Sequence, residues 1–173
     1  MAYRNKTYVC FDGDTDIKYY NLMKAWKQND NTDFNFYDAH DLNTAYDSSK
    51  EESIKRQLRE RLLNTKIFVI LLGEHTKYLT KFVKWEMEQA MSLNLPIIVV
   101  NLNKSKKVDN DRYPKNTLGD YLTINIPYNS KIMQYALENW ESQFNIHKHK
   151  KDTGAYIYKD EVYEELGIVE IYS

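Results

Sequence analysis

Apolar residues in this chain alternate between short continuous runs and stripes at three- and four-residue spacing, the marks of strands and helices. Thr7-Tyr8-Val9-Cys10-Phe11 predicts a first strand that stops at Asp12-Gly13-Asp14. Asp16 is placed to cap a helix in which Tyr19, Leu22, Met23 and Trp26 share a face, and Asn29-Asp30-Asn31 breaks it. Phe34-Asn35-Phe36-Tyr37 predicts a short second strand before a polar loop from Asp38 to Ser48. Ser49-Lys50-Glu51-Glu52 forms a capping box, and Ile54, Leu58 and Leu62 mark the helix behind it. The third strand is Lys66–Leu72, followed by the polar turn Gly73-Glu74-His75-Thr76 and a helix through Phe82–Leu93. Pro96–Val100 predicts the fourth strand, residues 104–118 a polar surface loop, and Tyr121–Ile126 a fifth strand closed by Pro127. Ser130 is placed to cap a last helix with Met133, Ala136, Leu137, Trp140 and Phe144 along one stripe.

Five strand–helix units, with the third and fourth strands almost wholly apolar, predict a parallel sheet covered on both faces. The expected fold is a three-layer α/β sandwich, flavodoxin-like, with five strands in the order 2-1-3-4-5. Chain reversal then falls between the first and third strands, where ligands bind outside the strand carboxyl ends. The loops meeting there are Phe11-Asp12-Gly13-Asp14 and Gly73-Glu74-His75-Thr76. The predicted domain spans residues 1–146. Residues 147–173 form a tail that begins as a solvated basic linker, His147-Lys148-His149-Lys150-Lys151, and ends in a short docking helix around Glu161–Leu166.

At 173 residues the chain is long enough for one domain with a real core, and its 42 % hydrophobic and 28 % charged content is ordinary for a globular protein. A formal net charge of −1 argues against nucleic acid or an acidic membrane as main partner. The fifteen tyrosines suit half-wet core positions. A single cysteine, Cys10, excludes a disulfide framework and a cysteine-cluster metal site, and its place in a strand predicts a buried thiol. His147 and His149 make a poor metal site and read better as part of a solvated basic linker, so no metal site is expected. With no signal-like or membrane-spanning run, a cytoplasmic protein is expected.

The chemistry concentrates in Phe82-Val83-Lys84-Trp85-Glu86-Met87-Glu88-Gln89-Ala90. On a helix, Val83, Met87 and Ala90 make one apolar stripe and Phe82, Glu86, Gln89 and Leu93 the row beside it, while Glu88 falls with Lys81, Lys84 and Ser92. Glu86 alone of the two carboxylates is aimed at the protein body. A carboxylate against apolar surface is paired, protonated or used. The plainer alternative is a helix-surface residue whose stem covers apolar area beside a lysine. Gly73-Glu74-His75-Thr76 lacks the lysine and glycine spacing of a phosphate loop, and no nucleophilic triad is evident. Asp12 and Asp14 resemble half of a phosphoacceptor cluster, but Leu72-Gly73 offers no acceptor aspartate.

Phe11-Asp12-Gly13-Asp14, Tyr19-Tyr20, Ala25-Trp26, Phe36-Tyr37-Asp38-Ala39-His40, Leu71-Leu72-Gly73-Glu74-His75-Thr76, Trp85-Glu86 and Pro96-Ile97-Ile98-Val99 together resemble the bacterial TIR-like domains of the Thoeris anti-phage system. The resemblance runs over roughly residues 5 to 140, and Trp85-Glu86 is its most specific element. It implies a TIR-like fold and, for enzymatic members, cleavage of the nicotinamide–ribose bond of NAD. NAD is then the substrate and no separate cofactor is implied. The ADP-ribose product leaves as a cyclised or conjugated signal that switches on a separate effector.

By the same resemblance Glu86 matches the catalytic glutamate, stabilising an oxocarbenium-like ribose and holding its hydroxyls. Phe11 is placed to stack on a ring, Asp12, Gly13 and Thr76 to bind ribose or phosphate, the alternative for each being a turn or core residue, and Trp85 joins the substrate-binding set. Asp38, Asp41 and the loop to Ser48 match the loop that gates the cleft and assembles such domains into homo-oligomers. No sensor or effector domain is visible in the sequence, which implies an external trigger, such as a phage component. The alternative is a TIR-like interaction module without catalysis, in which Glu86 serves packing. Another glycosidic-bond enzyme acting on nucleosides is a third reading.

Overall fold

A computed structural model describes residues 7–28, 36–37 and 51–169. The apolar runs form strands β1 (Thr7–Cys10), β2 (Phe36–Tyr37), β3 (Ile67–Leu72), β4 (Ile97–Asn101), β5 (Thr123–Pro127) and β6 (Ala155–Ile157). Helices α1 (Ile17–Gln28), α2 (Glu51–Leu63), α3 (Val83–Ser92), α4 (Lys115–Leu118), α5 (Ser130–His149) and α6 (Asp160–Glu165) connect and cover them. The sheet order is β2-β1-β3-β4-β5-β6 and every pairing is parallel. The α/β class and the 2-1-3-4-5 order are as expected, and among the described residues a sixth strand, β6, extends the sheet beyond β5.

Strand alternation divides the core in two. Val9, Val69, Leu71, Ile98, Val100, Ile124 and Ile126 point to one face, under Met23 of α1 and the α5 stripe Met133, Ala136, Leu137, Trp140 and Phe144. Tyr8, Cys10, Phe68, Ile70, Leu72, Ile97 and Val99 point to the other, under Ile54, Leu58 and Leu62 of α2 and Val83, Met87 and Ala90 of α3. In the β1–β3 register Tyr8 lies opposite Phe68 and Cys10 opposite Ile70.

The sixth strand comes from the segment expected to be a tail. α5 runs on through His149 instead of ending at a basic linker. The His147 ring packs against Trp140 and Tyr156, and its Nδ1 lies 2.8 Å from an Asp152 carboxylate oxygen. Gly154, at a φ of +95° that suits glycine, turns the chain back, and its N–H donates to the Asp120 carbonyl at 2.7 Å. The Asn125 amide then donates to the Tyr156 carbonyl, and Tyr158 and Tyr163 enter the core. The boundary expected at residue 146 thus falls inside a continuous helix, while the docking helix expected near Glu161 is α6.

Two other expectations need correction. The cap of α5 is Asn129, whose Oδ1 accepts from the Lys131 and Ile132 N–H groups; Ser130 is the first helical residue. Residues 104–118 are a tied structure, not a plain polar loop. The Asn101 amide donates to the Ser105 and Lys107 carbonyls at 2.8 Å each, and buried Tyr113 shares a hydrogen bond with Thr123. Ser49, Asp38, Asp41 and the loop to Ser48 lie outside the described residues.

Candidate functional site

The turns after β1 and β3 meet as the strand order requires. Asp12 closes the first turn: its carboxylate accepts from the Asp14 N–H at 3.0 Å and the Thr15 hydroxyl at 2.6 Å, and its carbonyl accepts from the Asp16 N–H. In the second, the buried Thr76 hydroxyl accepts from the Gly73 N–H at 2.9 Å and donates to the Leu71 carbonyl. Between the turns Asp16 is pressed against Gly73, where a Cβ would stand 2.2 Å from Asp16 Oδ2. Glycine is required there for close approach, and the approach fixes how the two turns sit.

Above them opens a cleft of about 360 Å³, lined by Asp16, Lys18, Tyr19, Gly73, Glu74, His75, Asn103 and Arg112 among others. Asp16 is 6 % exposed and its Oδ2 has no hydrogen-bond partner, so its side chain does not cap α1 as expected; only its carbonyl does, accepting from the Tyr19 N–H. Burial, and then the neighbouring Asp12, raise the Asp16 pKa against the pull of His75, Arg112 and Lys18.

Glu86 occupies a different place. It lies in the first turn of α3, 3 % exposed, beneath the β1 face that carries Tyr8 and Cys10. Glu88, on the same helix, is exposed, as the helical spacing predicts. Burial lifts the Glu86 pKa to about 7, partly opposed by the Tyr8 hydroxyl and Cys10 thiol facing it. The Tyr8 hydroxyl favours the carboxylate without completing a well-aligned hydrogen bond. Burial, followed by the negative charge of Glu86, pushes Tyr8 and Cys10 well above their usual ranges. The result is a carboxyl group poised between proton donor and anion near neutrality, a state that suits acid–base or electrostatic chemistry.

The remaining expected site residues are not gathered around Glu86. Phe11 stacks on Tyr20 with ring centroids 4.8 Å apart, on the opposite core face. Trp85 lies under the cations of Lys55 and Arg59, each 5.5 Å from its ring, and joins α3 to α2. Asp12 and Thr76 direct their side-chain oxygens into their own turns. Gly13 belongs to the turn after β1. None of these residues, nor Glu86, lines the cleft. The sequence reading missed Lys18, Asn103 and Arg112; buried Tyr113 and Leu118 in an otherwise polar segment were the available sign that Arg112 is held in place.

Among the described residues no group of three or more His, Cys, Asp or Glu side chains converges on a metal position, and no helix is long and apolar enough to cross a membrane.

A crystal structure of a conserved protein from Enterococcus faecalis V583 is similar at 17 % identity and a TM-score of 0.47, covering 94 % of this chain and 97 % of that one. The family model for the TIR-like domain of the Thoeris protein ThsB matches residues 8–107, from β1 past β4 and through Glu86. More than half of the chain lies within that match, and it therefore belongs to the Thoeris ThsB TIR-like domain family.

Proposed function

We propose that the protein cleaves NAD to nicotinamide and an ADP-ribose-derived signal, cyclic or conjugated, which activates a separate effector in anti-phage defence. The observation that carries this reading is Glu86: a buried carboxyl group with a pKa of about 7, on a helix inside the family match. As nicotinamide departs with the bonding electron pair, positive charge develops on the ribose. An ionised Glu86 stabilises that charge and accepts hydrogen bonds from the ribose hydroxyls. Water, another part of the same molecule or a second molecule then takes the anomeric carbon. At 3 % exposure the carboxyl group is nearly inaccessible, which fits an enzyme silent until a phage-derived trigger or homo-oligomerisation opens the site.

The test is mass spectrometry of small molecules from phage-infected cells, with the protein or its Glu86→Ala variant. NAD loss with a new ADP-ribose-derived species, confined to the unmutated protein, is the expected result. An undiminished signal from Glu86→Ala overturns the assignment. Where bound substrate takes over the packing that keeps water from Glu86, the rate of purified, triggered protein should rise with pH, by up to about tenfold between pH 6 and pH 8. A flat profile means that opening the site re-solvates Glu86 and returns it to the ordinary carboxylate range, and the Glu86→Ala comparison then decides its role.

A second reading, a non-catalytic interaction module, draws on the internal hydrogen bonds of Asp12 and Thr76 and the packing of Phe11 and Trp85. It requires unchanged NAD under every trigger, with loss of function mapping to exposed helix faces instead.

A further inference from the structure

We propose that Tyr8 is the positioning residue for Glu86: its hydroxyl, fixed by the packing of its ring, donates to one oxygen of the Glu86 carboxylate and leaves the other for the substrate. Cys10, two residues on, is the second and weaker donor. This role rests on Glu86 being the working carboxyl group of the reaction proposed above.

Strand alternation points Tyr8 and Cys10 to the same face of β1, toward α3, whose first turn carries Glu86. All three side chains are buried. The Tyr8 backbone is held on both sides, opposite Tyr37 of β2 and Phe68 of β3. Its ring stacks on Phe68, with centroids 5.4 Å apart and planes 13° from parallel. Clamping the ring fixes where the hydroxyl lies, and Glu86 is the carboxyl group that faces it.

The Tyr8 hydroxyl is buried yet has no well-aligned hydrogen-bond partner. A phenylalanine would fill the same space without stranding a buried donor, which costs stability. The core therefore has no need of this oxygen, whereas an ionised Glu86 does: a carboxylate only accepts hydrogen bonds, and at this depth it requires donors. Ionisation strengthens the acceptor and so completes the bond that the protonated group leaves loose. The phenol is the better donor of the two, a thiol being a weak one. Both approach from the strand side, so the carboxylate oxygen turned away from β1 is left for the ribose hydroxyls.

Other charges near the cluster are common to every variant below. Arg61 of α2 acts on Tyr8 and eases its ionisation, while Lys55 and Arg59 of α2 lie over Trp85. Lys84 and Glu88 of α3 approach each other at 4.0 Å. The charged residue of α4, Lys115, is exposed, and β3 brings no titratable group.

The test follows the Glu86 carboxyl carbon by NMR in the full-length protein from about pH 5 to pH 9, the signal being assigned by its loss in Glu86→Gln. Tyr8→Phe keeps the ring and should raise the midpoint from about 7 by about half a pH unit or more, with its spectrum confirming the fold. Cys10→Ala should raise it by less, and Cys10→Ser, which supplies a better donor, should lower it. Opposite shifts from two small substitutions at one buried position are not what altered packing produces. Should Tyr8→Phe fail to fold, the Tyr8 Cζ resonance of the wild type carries the test: it should titrate with the Glu86 midpoint and stay flat in Glu86→Gln. In triggered protein, Tyr8→Phe should lower kcat at least about fivefold with KM within about twofold, the mark of a group that acts in the transition state. An unmoved midpoint or undiminished kcat in folded Tyr8→Phe, or a Tyr8 Cζ that does not follow Glu86, overturns the proposal. If triggered wild type consumes no NAD while the midpoints move as expected, the NAD reading falls and the positioning stands; if it consumes NAD while they stay put, the positioning falls alone.

Discussion

Replacing Glu86 by Gln keeps the size of the side chain and removes its titration, so it isolates what burying this carboxyl group costs. The ordinary glutamate pKa is 4.5, and in the folded protein it is about 7. Below about pH 4.5 the carboxyl group is protonated in both folded and unfolded chains, and the wild type suffers no penalty. Above that the unfolded chain releases the proton first, while the folded one holds it until about 7. Wild-type stability therefore declines across this window and levels off above it. At about 1.4 kcal/mol for each tenfold step in proton affinity, the whole window is worth about 3 kcal/mol, of which about 2.5 kcal/mol falls between pH 5 and pH 8. Urea unfolding of both proteins at pH 5, 6, 7 and 8 measures this directly. Glu86→Gln should gain about 2.5 kcal/mol on wild type across the series, whatever the offset at pH 5. Other titrating groups are common to both chains and cancel in the difference. A difference constant within about 0.5 kcal/mol, the usual scatter of such comparisons, would refute a carboxyl group whose burial outweighs the help of Tyr8 and Cys10.

Three further outcomes are expected. Gly73→Ala places a Cβ on the Asp16 carboxylate and should cost about 1–3 kcal/mol in urea unfolding; adding Asp16→Ala should recover most of it, and additive losses would show that the close approach is not the cause. Thr76→Val orphans the buried Gly73 N–H and should destabilise by about 1–3 kcal/mol; a loss under about 0.5 kcal/mol would mean that the hydroxyl does not hold the turn. Deleting residues 152–173 removes β6 and α6, exposes the β5 edge and takes Tyr158 and Tyr163 from the core. That truncation should lose at least about 3 kcal/mol or become insoluble, and an unchanged urea midpoint would show the segment to be dispensable.

Local pattern was enough for most of the fold because burial demanded it. β3 and β4 lie under helices on both faces, so their residues had to be apolar, and α3 and α5 show their buried stripes at helical spacing. β6 was not legible for the opposite reason. It is a three-residue edge strand, mostly exposed, and its apolar run Ala155-Tyr156-Ile157 is too short, and too near the charged segments 147–152 and 159–161, to stand out as a strand. Its existence depends on pairing with β5, a contact between segments about thirty residues apart. The α5 cap was misplaced by one residue because Asn129 and Ser130 are both good caps, and only the backbone turn selects one.

The same division runs through the candidate site. By itself the sequence determined that Glu86, not Glu88, faces inward, since helical spacing fixes direction, and that the turns after β1 and β3 adjoin, since parallel order fixes which strand ends are neighbours. It also carried the family resemblance. Only the tertiary structure decided that Glu86 sits beside Tyr8 and Cys10 with a pKa near 7, because desolvation depends on everything packed around a group. Only the fold, too, brought Asp16 and Arg112 to one cleft across almost a hundred residues of chain. Spacing encodes the direction in which a side chain leaves its own element; what it meets there is set by the other elements that close over it.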